Sequence, residues 1–550
     1  MKFILFMLSI AAFSACSLNA QVDDIVEHQG ISSNLHRDNI GKIFFTASNI
    51  QGKDLSKVDF LRIYNLTNKS DLFFTAFLDN SITNYLHQLS PGLPAEELVK
   101  KGNCQFSIFI DDSLIYQSNL HPGAPRPKYL DTATILMHPL IDNVKGNGIW
   151  SESFWNRFMH FGGEAALTEG KHLLRMDIAF YLMDEKEKVG KVIASGELPL
   201  LVERKPVIDI KKIKLNKLTA YDGLPLSTAD FDKDKIKLLK GNIDTGVYKK
   251  INSIVIVKDG KLLVEEYFNG ENRNSLHDPR SVGKTFASTI MGIAIKDNYL
   301  KNEQQTLGEF YDLKKFDNYS SAKEEVSIKD LLTMSSVFDG DDSDYDSPGN
   351  EENMYPTDDW VKFALDLPVR VNTQKDWHYF TSGVVVLGDI LDKKVPGGLE
   401  KYADDKLFKP LHITDYKWEY TPQKVANTAG GIRLKALDFA KFGQLYKNNG
   451  KWNGQQIIPE KWVADSFTKQ AEIKERANEY YGYLFWNKTF EIKGKKYETY
   501  YCAGNGGNYI LIFKDQPWVI VITASAYGMP YAHPQVNEML KNYIIPALIP

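Results

Sequence analysis

The sequence predicts a two-domain protein in which an all-β, sandwich-like domain precedes an α+β domain. Three observations lead to this prediction. The chain has 550 residues, which is more than one hydrophobic core usually serves. Its first part alternates apolar and polar residues in short runs, as strands do. Its last part places strand-like runs on both sides of a helical middle, which indicates an α+β arrangement and not a series of βαβ units.

The start of the chain, residues 1–20, has the features of a secretory signal peptide. Lys2 supplies a positive charge ahead of an apolar run over residues 3–13, and such a run is too short to span a bilayer. Cleavage after Ala20 would leave a small residue at the cut. The stretch FSAC also resembles a bacterial lipoprotein signal, which predicts the alternative of a lipid anchor at Cys16. Both interpretations predict an exported protein, either periplasmic or secreted.

Composition and charge exclude several classes of function. The net charge is −4 and the isoelectric point is near 6.3, so no basic surface points to a nucleic-acid partner. After the signal, no stretch is apolar and long enough to form a membrane-spanning helix. Only Cys104 and Cys502 remain beyond the signal, which excludes a disulfide framework. Two buried thiols are the expected state, and a single bridge between them is the alternative.

Residues 22–205 are predicted to form the β-rich accessory domain. Four runs of alternating residues carry this prediction: KIFFTASNI, CQFSIFIDDSLIY, HLLRMDIAFYL and GKVIASGELPLLV. No nucleophile, metal or phosphate motif occurs among them, so a structural or binding module is expected. The lysine-rich stretch ERKPVIDIKKIKLNK follows and predicts a linker and lead-in over residues 206–239.

Residues 240–550 are predicted to form the second domain. It opens with INSIVIVKDGKLLVEEYF, two apolar strands around an Asp-Gly hairpin signal. Helical patches follow, among them SIKDLLTMSS, DWVKFALDL and ALDFAKFGQLYKNNG. The chain then returns to strands in YYGYLFWNK, KKYETYYCAG, NYILIFKD and PWVIVITAS, and QVNEMLKNYIIPAL closes it as a helix. The sheet is therefore predicted to be completed late in the sequence.

The stretch DPRSVGKTFAS, residues 278–288, contains G-K-T and so raises the question of a phosphate-binding loop. A Walker loop needs a glycine five residues before Gly283, because backbone amides there must approach the phosphates. The sequence has Asp278 at that position, whose carboxylate would repel phosphate. Pro279 also removes one amide. The phosphate-loop interpretation is therefore rejected.

The same stretch places Ser281 three residues before Lys284, which puts both side chains on one face of a helix. An apolar stripe predicts that this helix is buried: Phe286, Ile290, Ile293 and Ala294. Burial favours the neutral form of an amine, and a neutral amine beside a serine hydroxyl can take its proton. The S-x-x-K pattern alone is weak, because solvated helices often carry it.

Two later stretches support a catalytic interpretation. WHYFTSGVVVLGDIL places Tyr379 and Thr381 ahead of an apolar helix. YYCAGNGGNYILIF places Asn505, Gly506 and Gly507 at the start of a strand, where glycines let a substrate lie close to the strand edge.

Taken together, the three stretches resemble the serine β-lactamase and penicillin-binding-protein superfamily, and within it the class C-related esterases, D-amino-acid peptidases and 6-aminohexanoate-oligomer hydrolases. The family shows S-x-x-K, then Y-x-[NS], then [KH]-[TSG]-G. The family resemblance extends to three other stretches: LLTMSS, PLHITDYKW and GGIRLKALDFAKFGQLY. It covers roughly residues 240–550. It implies a β-lactamase/DD-peptidase-like fold with an antiparallel sheet and a helical subdomain. The absence of G-x-S-x-G from the sequence removes the α/β-hydrolase alternative.

The resemblance implies a serine hydrolase that forms an acyl-enzyme and needs neither cofactor nor metal. Ser281 would be the nucleophile, and Lys284 and Tyr379 would move its proton. Family geometry would pair the backbone N–H of Ser281 with that of Asn508 as the oxyanion hole. The expected partner is a small ester, amide or peptide substrate, and the sequence sets no oligomeric state.

Two departures from the family pattern bear on the substrate. Thr381 stands where the family has Asn or Ser, although it keeps a hydroxyl. Asn505 replaces the Lys or His of the third motif, which leaves no cation there for a substrate carboxylate. These differences favour a neutral ester or amide over a β-lactam. A DD-peptidase, a β-lactamase, or an inactive relative that binds peptidoglycan or a peptide are the alternatives.

The acidic loop FDGDDSDYDSPGNEENMYPTDD allows two further interpretations. Asp342, Asp344 and Asp346 match the first ligand positions of an EF-hand, but the required glycine and twelfth-position glutamate are missing. We therefore expect a surface loop and not a calcium site. The 6-aminohexanoate hydrolases carry a similar loop over the active site, and this resemblance puts Tyr345 at the substrate.

Overall fold

The computed structural model describes residues 31–549 except for 32, 51, 122–132, 142–153, 156, 185, 372–374, 474–475 and 477. The signal peptide and Cys16 therefore lie outside the described residues. The chain divides into two compact units, Met1–Pro206 and Val207–Pro550. From residue 207 onwards, the predicted linker and lead-in belong to the second unit and include a helix.

The first unit is built on strands, as its alternating runs predict. Short helices accompany them, and in the described part of this unit these include α1 (Asn34–Asp38), α2 (Ile82–Leu89), α3 (Ala95–Lys101) and α4 (Glu164–Ala166). The strands are β1 (Ile43–Thr46), β2 (Tyr64–Leu66), β3 (Leu72–Phe77), β4 (Gly102–Ile110), β5 (Ser113–Asn119), β6 (Ile135–Ile141), β7 (Gly170–Met183), β8 (Glu187–Val189) and β9 (Ala194–Val202).

Two sheets of the first unit enclose one core. The smaller sheet has the order β1-β3-β6, and the larger has the order β2-β9-β7-β4-β5 with β8 beside β7. Side chains from both sheets pack in one apolar cluster, where the rings of Phe74 and Phe106 meet edge to face at 6.0 Å. This arrangement agrees with the sandwich-like prediction. Helices α2 and α3 were not predicted; α2 begins where the Ser81 side chain accepts the N–H of Asn84, a local cap.

The second unit is organised around an eight-stranded antiparallel sheet. Its order is β11-β10-β22-β21-β20-β19-β18-β17, so the sheet is completed late in the sequence, as predicted. The strands of this unit are β10 (Ile251–Lys258), β11 (Lys261–Tyr267), β12 (Leu276–His277), β13 (Lys417–Trp418), β14 (Ile432–Lys435), β15 (Lys451–Trp452), β16 (Gln455–Gln456), β17 (Ala471–Glu472), β18 (Tyr480–Tyr481), β19 (Trp486–Ile492), β20 (Lys495–Gly504), β21 (Asn508–Phe513) and β22 (Trp518–Ala524).

The first hairpin of this sheet shows why its sequence signal is reliable. Asp259 and Gly260 occupy the turn with φ of 52° and 70°. A two-residue turn with positive φ at both positions matches the right-handed twist of the strands on either side. Glycine adopts such values without strain, and Asp tolerates them better than most residues.

Helices fill the middle of the second unit and cover its sheet. They are α5 (Lys233–Asp244), α6 (Lys284–Lys296), α7 (Ser321–Glu324), α8 (Ile328–Leu332), α9 (Glu351–Met354), α10 (Trp360–Asp366), α11 (Thr381–Lys394), α12 (Gly398–Ala403), α13 (Ala436–Lys447), α14 (Glu460–Phe467), α15 (Ala532–Met539) and α16 (Ile545–Leu548). The mixed α+β architecture with a helical middle confirms the predicted fold class.

Helix α6 runs through the interior of this unit, because its residues from Lys284 to Ala294 are all buried. Helix α13 packs directly on the sheet. A Cβ on Gly443 of α13 would lie 2.6 Å from Val519 and 2.8 Å from Ile510, so glycine permits this close approach. The core therefore fixes the start of α6 against the sheet, where the site lies.

Within the described part of the chain, no helix is both long and apolar enough to cross a membrane. Cys104 and Cys502 are both buried and no disulfide joins them, so the alternative of a bridge between them is wrong. Burial raises the pKa of the Cys502 thiol to about 12, which makes it an inert core residue at neutral pH.

Candidate active site

Ser281 and Lys284 lie at the junction of a short 3₁₀ turn and a long buried helix. The turn covers Arg280–Gly283, and α6 begins at Lys284. A 3₁₀ turn places residues three apart directly above one another. Lys284 Nζ accordingly donates a hydrogen bond to Ser281 Oγ across 2.8 Å, and Lys284 is only 1% exposed. The structure thus brings the predicted pair into direct contact.

Close backbone contacts hold this nucleophile turn in place. A Cβ on Gly283 would lie 2.8 Å from the Cα of Gly430, and one on Gly504 would lie 1.9 Å from the carbonyl oxygen of Pro279. Such distances exclude any side chain at either glycine. Arg280 has a φ of 52°, a left-handed value that non-glycine residues seldom adopt. The turn is therefore kept in a strained conformation by its neighbours, as functional turns often are.

Lys284 has two further contacts that fix its amine. Its Nζ donates a second hydrogen bond to the carbonyl oxygen of Ala429 at 2.8 Å. The same atom lies 5.2 Å from the centre of the Tyr379 ring. Ala429 precedes Gly430, so the backbone packing that positions the turn also positions the acceptor for the lysine.

Tyr379 stands directly before helix α11, where the sequence placed it. Burial raises the pKa of its hydroxyl, and the neighbouring Lys284 charge and hydrogen bonding to Ser281 partly offset that rise. The phenol is therefore protonated at neutral pH. The ring stacks on Trp486 with a centroid separation of 5.7 Å. A protonated hydroxyl beside the serine and the lysine can pass a proton between them and a bound substrate.

The third motif lies three residues earlier than predicted. The glycine that touches the nucleophile turn is Gly504, at the end of β20, whereas a Cβ on Gly507 would meet the carbonyl oxygen of Ala532 at 2.9 Å. The motif is therefore Cys502-Ala503-Gly504, followed by Asn505, and the assignment of Asn505, Gly506 and Gly507 to it is wrong. The sequence alone does not distinguish Gly504 from Gly507, because each is followed by an asparagine in the same hairpin.

Asn508, the predicted second donor of the oxyanion hole, does not line the cavity that contains Ser281. It is 1% exposed, and its side chain accepts the N–H of Ala524 at 3.0 Å and donates to the carbonyl oxygen of Asn505 at 2.9 Å. It pairs with Gly504 across the hairpin. Asn508 therefore connects strands, and it is not part of the cavity surface that contains Ser281.

Asn505 lies at the cavity in its place. It lines the same cavity as Ser281, and its side chain accepts the N–H of Gly528 at 2.8 Å. In the part of the chain that the structure describes, the backbone N–H groups of Ser281 and Asn505 have no hydrogen-bond acceptor. Two free N–H groups on either side of the tight Gly504 contact are suited to an oxyanion.

Three other predicted site residues lie away from the cavity surface. Thr381 is 0% exposed, and its backbone N–H donates to Asp342 Oδ2 at 2.8 Å. Gly506 has a φ of 91° and forms an isolated bridge with Ala526. Tyr345 is 85% exposed and is not part of the cavity lining. None of the three lines the cavity that contains Ser281, and their predicted substrate contacts stay predictions.

A family model of beta-lactamases matches residues 246–536, which is more than half of the 550-residue chain. The chain belongs to the beta-lactamase family. It is therefore a serine hydrolase related to β-lactamases and penicillin-binding proteins, as the sequence resemblance implied. A comparison with curated proteins gave no match.

Solved structures similar to this beta-lactamase family member include three bacterial proteins. A Bacillus anthracis protein assigned as a 6-aminohexanoate-dimer hydrolase is 19% identical with a TM-score of 0.47, over 60% of this chain and 89% of its own. A D-amino acid amidase from Ochrobactrum anthropi is 14% identical with a TM-score of 0.43, over 57% and 99%. A penicillin-binding protein homologue from Caulobacter crescentus is 12% identical with a TM-score of 0.44, over 56% and 95%.

The active-site cavity of this family member has a volume of about 510 Å³. Ser281 opens into it beside an aromatic wall formed by Trp377, Tyr379, Trp486 and Tyr501. Its charged and ionisable lining residues are Asp342, Glu351, Arg476, Glu479, Lys488 and His533. The cavity is thus apolar on one wall and strongly polar elsewhere, which is typical of a site that orients a substrate.

Asp342 is a site residue that sequence reasoning missed. It accepts the backbone N–H groups of Glu351 and Thr381, both at 2.8 Å, and its own N–H donates to the carbonyl oxygen of Tyr379. Burial and the neighbouring Glu351 raise the pKa of its carboxyl to about 6. Asp342 therefore connects the acidic loop to the segment that carries Tyr379. The sequence offered only a dense acidic run there, with nothing to connect it to a motif almost 40 residues later.

Arg476 and Lys488 are two further site residues that the sequence analysis did not identify. Both line the cavity, so the site has cations although the third motif supplies none. Arg476 comes from the segment before β18, and Lys488 comes from strand β19. No short motif marks them.

Among the described residues, no group of three or more His, Cys, Asp or Glu side chains is arranged to hold a metal ion. Asp344 Oδ1 accepts the N–H of Asp346 at 3.0 Å, and both Asp342 oxygens accept backbone N–H groups. These carboxylates therefore cap the backbone of the acidic loop.

Proposed function

We propose that this protein hydrolyses a small ester, amide or peptide through an acyl-enzyme formed on Ser281. The observation that carries the proposal is the 2.8 Å contact between Lys284 Nζ and Ser281 Oγ at the surface of the cavity. A serine hydroxyl is a weak nucleophile unless a base removes its proton. Here a buried amine is held at hydrogen-bond distance from it.

The acylation step uses these groups in order. Acylation requires the unprotonated form of the Lys284 amine, which takes the Ser281 proton while Oγ attacks the substrate carbonyl carbon. The tetrahedral intermediate collapses when the proton passes by way of the Tyr379 hydroxyl to the leaving oxygen or nitrogen. This leaves an ester between Ser281 and the acyl group. Water then attacks that ester with the same groups acting in reverse, which returns the proton to Ser281 and releases the acid.

The developing oxyanion would be bound by the backbone N–H groups of Ser281 and Asn505. Neither has an acceptor among the described residues, and the two flank the contact between Gly504 and Pro279. Donors fixed before the reaction stabilise charge in the transition state without reorganisation. The close backbone contact between Gly504 and Pro279 fixes these donors in position.

The alternative of an inactive, ligand-binding relative has less support. Such a protein would not need a buried lysine on the serine, because an unused buried amine costs stability. β-lactam hydrolysis and DD-peptidase activity use the same chemistry and differ from ester hydrolysis only in the substrate. The catalytic groups therefore support the reaction class, and the residues that line the cavity bear on the choice of substrate.

The experiment is a mass shift on the peptide containing Ser281. The protein is exposed separately to a fluorophosphonate, a nitrophenyl ester and a penicillin, and is then digested and analysed. A shift on that peptide, absent in Ser281→Ala, is expected for at least the fluorophosphonate. A protein that turns over esters without Ser281, or that is never labelled there, would contradict the proposal.

Export is part of the proposal, and it rests on the sequence of residues 1–20. Expression in a bacterial host followed by N-terminal mass spectrometry distinguishes its two forms. A mature chain that begins at Gln21 supports cleavage after Ala20, whereas a diacylglyceryl-modified N-terminus at Cys16 supports lipidation. Retention of Met1 in the mature protein would contradict both.

A further inference from the structure

Lys488 is a buried cation that the acyl-transfer chemistry does not use. It lies on strand β19, next to the strand that ends at Gly504, and it is 8% exposed. Its Nζ donates to Asn537 Oδ1 at 2.6 Å. No carboxylate of the described residues lies within ion-pair distance of it. A buried ammonium that has only a neutral amide as partner is unusual in a folded protein.

The surroundings of Lys488 penalise its charge. Aromatic rings surround the amine, with centroids at 4.7 Å for Tyr501, 4.8 Å for Phe490 and 5.4 Å for Tyr509. Burial is the main cause that lowers the pKa of Lys488 to about 8, and the nearby charges of Arg476 and Lys541 add to the effect. Rings attract a cation weakly, so the penalty is only partly offset.

Arg476 extends this positive region along the cavity wall. Its guanidinium carbon lies 4.8 Å from the centre of the Trp486 ring, which places the group beside the aromatic wall of the cavity. Glu479 is its partner at 3.5 Å. One carboxylate therefore faces two cations here, which leaves the region with a net positive charge.

His533 adds a neutral polar group to the same region. Burial, Arg476 and Lys488 lower its pKa to about 4, so the imidazole is uncharged at neutral pH. Its Nδ1 hydrogen-bonds with the Tyr509 hydroxyl at 2.7 Å. A neutral imidazole can donate one N–H to an anion without adding to the local charge.

The acidic residues of the cavity belong to a separate region. The charges of Asp342 and Glu351 act on each other and, for Asp342, on Lys284. The charges that act on Lys488 are those of Glu479, Arg476 and Lys541. The cavity thus has an acidic region next to the catalytic lysine and a basic region next to Lys488.

We propose that Lys488 and Arg476 form a subsite that binds a carboxylate of the substrate. The proposal rests on the proposed function and specifies its substrate class: an ester, amide or peptide that carries a free carboxylate apart from the bond that is cleaved. A carboxylate would supply the counter-charge that Lys488 lacks, and Arg476 could bind it through two N–H groups. A purely structural lysine at this position would be expected to have a carboxylate partner in the fold.

The test compares two pairs of substrates of matched shape. In the acyl pair, 4-nitrophenyl hexanoate is compared with mono-4-nitrophenyl adipate, which differs by a terminal carboxylate. In the leaving-group pair, phenyl phenylacetate is compared with 3-carboxyphenyl phenylacetate. Wild-type kcat/KM is expected to be at least tenfold higher for the carboxylate member of one pair. The pair that shows the preference identifies which part of the substrate carries the carboxylate.

Three variants assign the preference to the subsite. Lys488→Met should lower the carboxylate-to-neutral ratio of kcat/KM at least tenfold, and Lys488→Arg should keep most of it. Lys495→Met makes the same change at an exposed lysine of the neighbouring strand β20 and should leave the ratio unchanged. Fluorophosphonate labelling of Ser281 counts folded, competent sites in each variant, so that a poorly folded preparation does not imitate a loss of binding.

The outcomes separate this proposal from the proposed function. If neutral esters are hydrolysed but both wild-type ratios are one or less, the carboxylate subsite is wrong and the hydrolase assignment stands. The same conclusion follows if Lys488→Met keeps the wild-type ratio. If no substrate is hydrolysed and Ser281 is never labelled, the proposed function itself fails, and this proposal fails with it.

Discussion

Gly504 and Pro279 approach each other so closely that a Cβ on the glycine would lie 1.9 Å from the proline carbonyl oxygen. Gly504 ends strand β20, and Pro279 directly precedes the nucleophile turn. This contact joins the sheet to the turn that carries Ser281. The active site is therefore assembled across a backbone contact that only glycine permits.

Gly504→Ala is expected to displace the nucleophile turn and to lower kcat/KM by at least about 100-fold, since small displacements of reacting groups are costly. Ester hydrolysis and a thermal unfolding curve measure the effect on activity and on stability. The matched control is Gly92→Ala, where nothing lies within 4 Å of the added Cβ. Equal activity of Gly504→Ala and wild type would contradict the contact.

Lys284→Ala and Tyr379→Phe test the proton path. A positioned general acid or base is typically worth about 10²- to 10⁴-fold in rate, so each change should lower kcat by about that factor. Tyr379→Phe keeps the ring that stacks on Trp486 and removes only the hydroxyl. Single-turnover acylation of Ser281 is the measurement, and a loss of only a few-fold in Tyr379→Phe would remove the phenol from the mechanism.

Asn505→Pro tests the corrected oxyanion hole, because proline has no backbone N–H. Removal of one such donor typically lowers kcat by about 10²- to 10³-fold. Asn505→Ala is the control: it keeps the N–H and removes only the side-chain bond to Gly528. Comparable kcat values for the two variants would show that the donor lies elsewhere.

Much of this site could be predicted from sequence, and the failures have physical causes. Ser281, Lys284 and Tyr379 were found because their spacing follows from one helix turn and one helix start. The third motif was placed three residues too late because the two Gly-Asn pairs of this hairpin, 504–505 and 507–508, look alike until the packing of Gly504 against Pro279 is seen. Asp342, Arg476 and Lys488 were missed because only the tertiary fold brings them to the cavity.

The fold shows the same division. Strands β10 and β11 were predicted from alternation and from the Asp259-Gly260 turn, both local signals. Helices α2 and α3 of the first unit were not, because short helices depend on caps and on packing more than on pattern. Local chemistry is therefore readable in the sequence, whereas long-range contacts are not.

Lys488→Met should stabilise the protein at neutral pH if Lys488 serves binding and not folding. The unfolded chain keeps the lysine proton up to about pH 10.5, whereas the folded chain loses it near 8. This difference corresponds to a penalty of roughly 3 kcal/mol on the charged folded form. The contribution of Lys488 to the free energy of unfolding of the wild type is therefore lowest below pH 8, and it rises between pH 8 and 10.5.

The measurement is the free energy of unfolding of wild type and Lys488→Met in urea from pH 7 to 10.5. The variant should be more stable by about 1–3 kcal/mol at pH 7, and the difference should shrink towards pH 10.5. Other groups near the amine are common to both proteins and largely cancel: Arg476, Glu479, Tyr501, Tyr509, His533 and Lys541. A variant that is less stable than wild type at pH 7 would indicate a structural role.

The most direct test of the central claim is the mass of the tryptic peptide that contains Ser281, measured after brief exposure to a slow ester or a fluorophosphonate. We expect a covalent adduct on Ser281 in wild type, its absence in Ser281→Ala, and much slower formation in Lys284→Ala. Undiminished ester hydrolysis by Ser281→Ala, with no adduct on this peptide in wild type, would contradict the account.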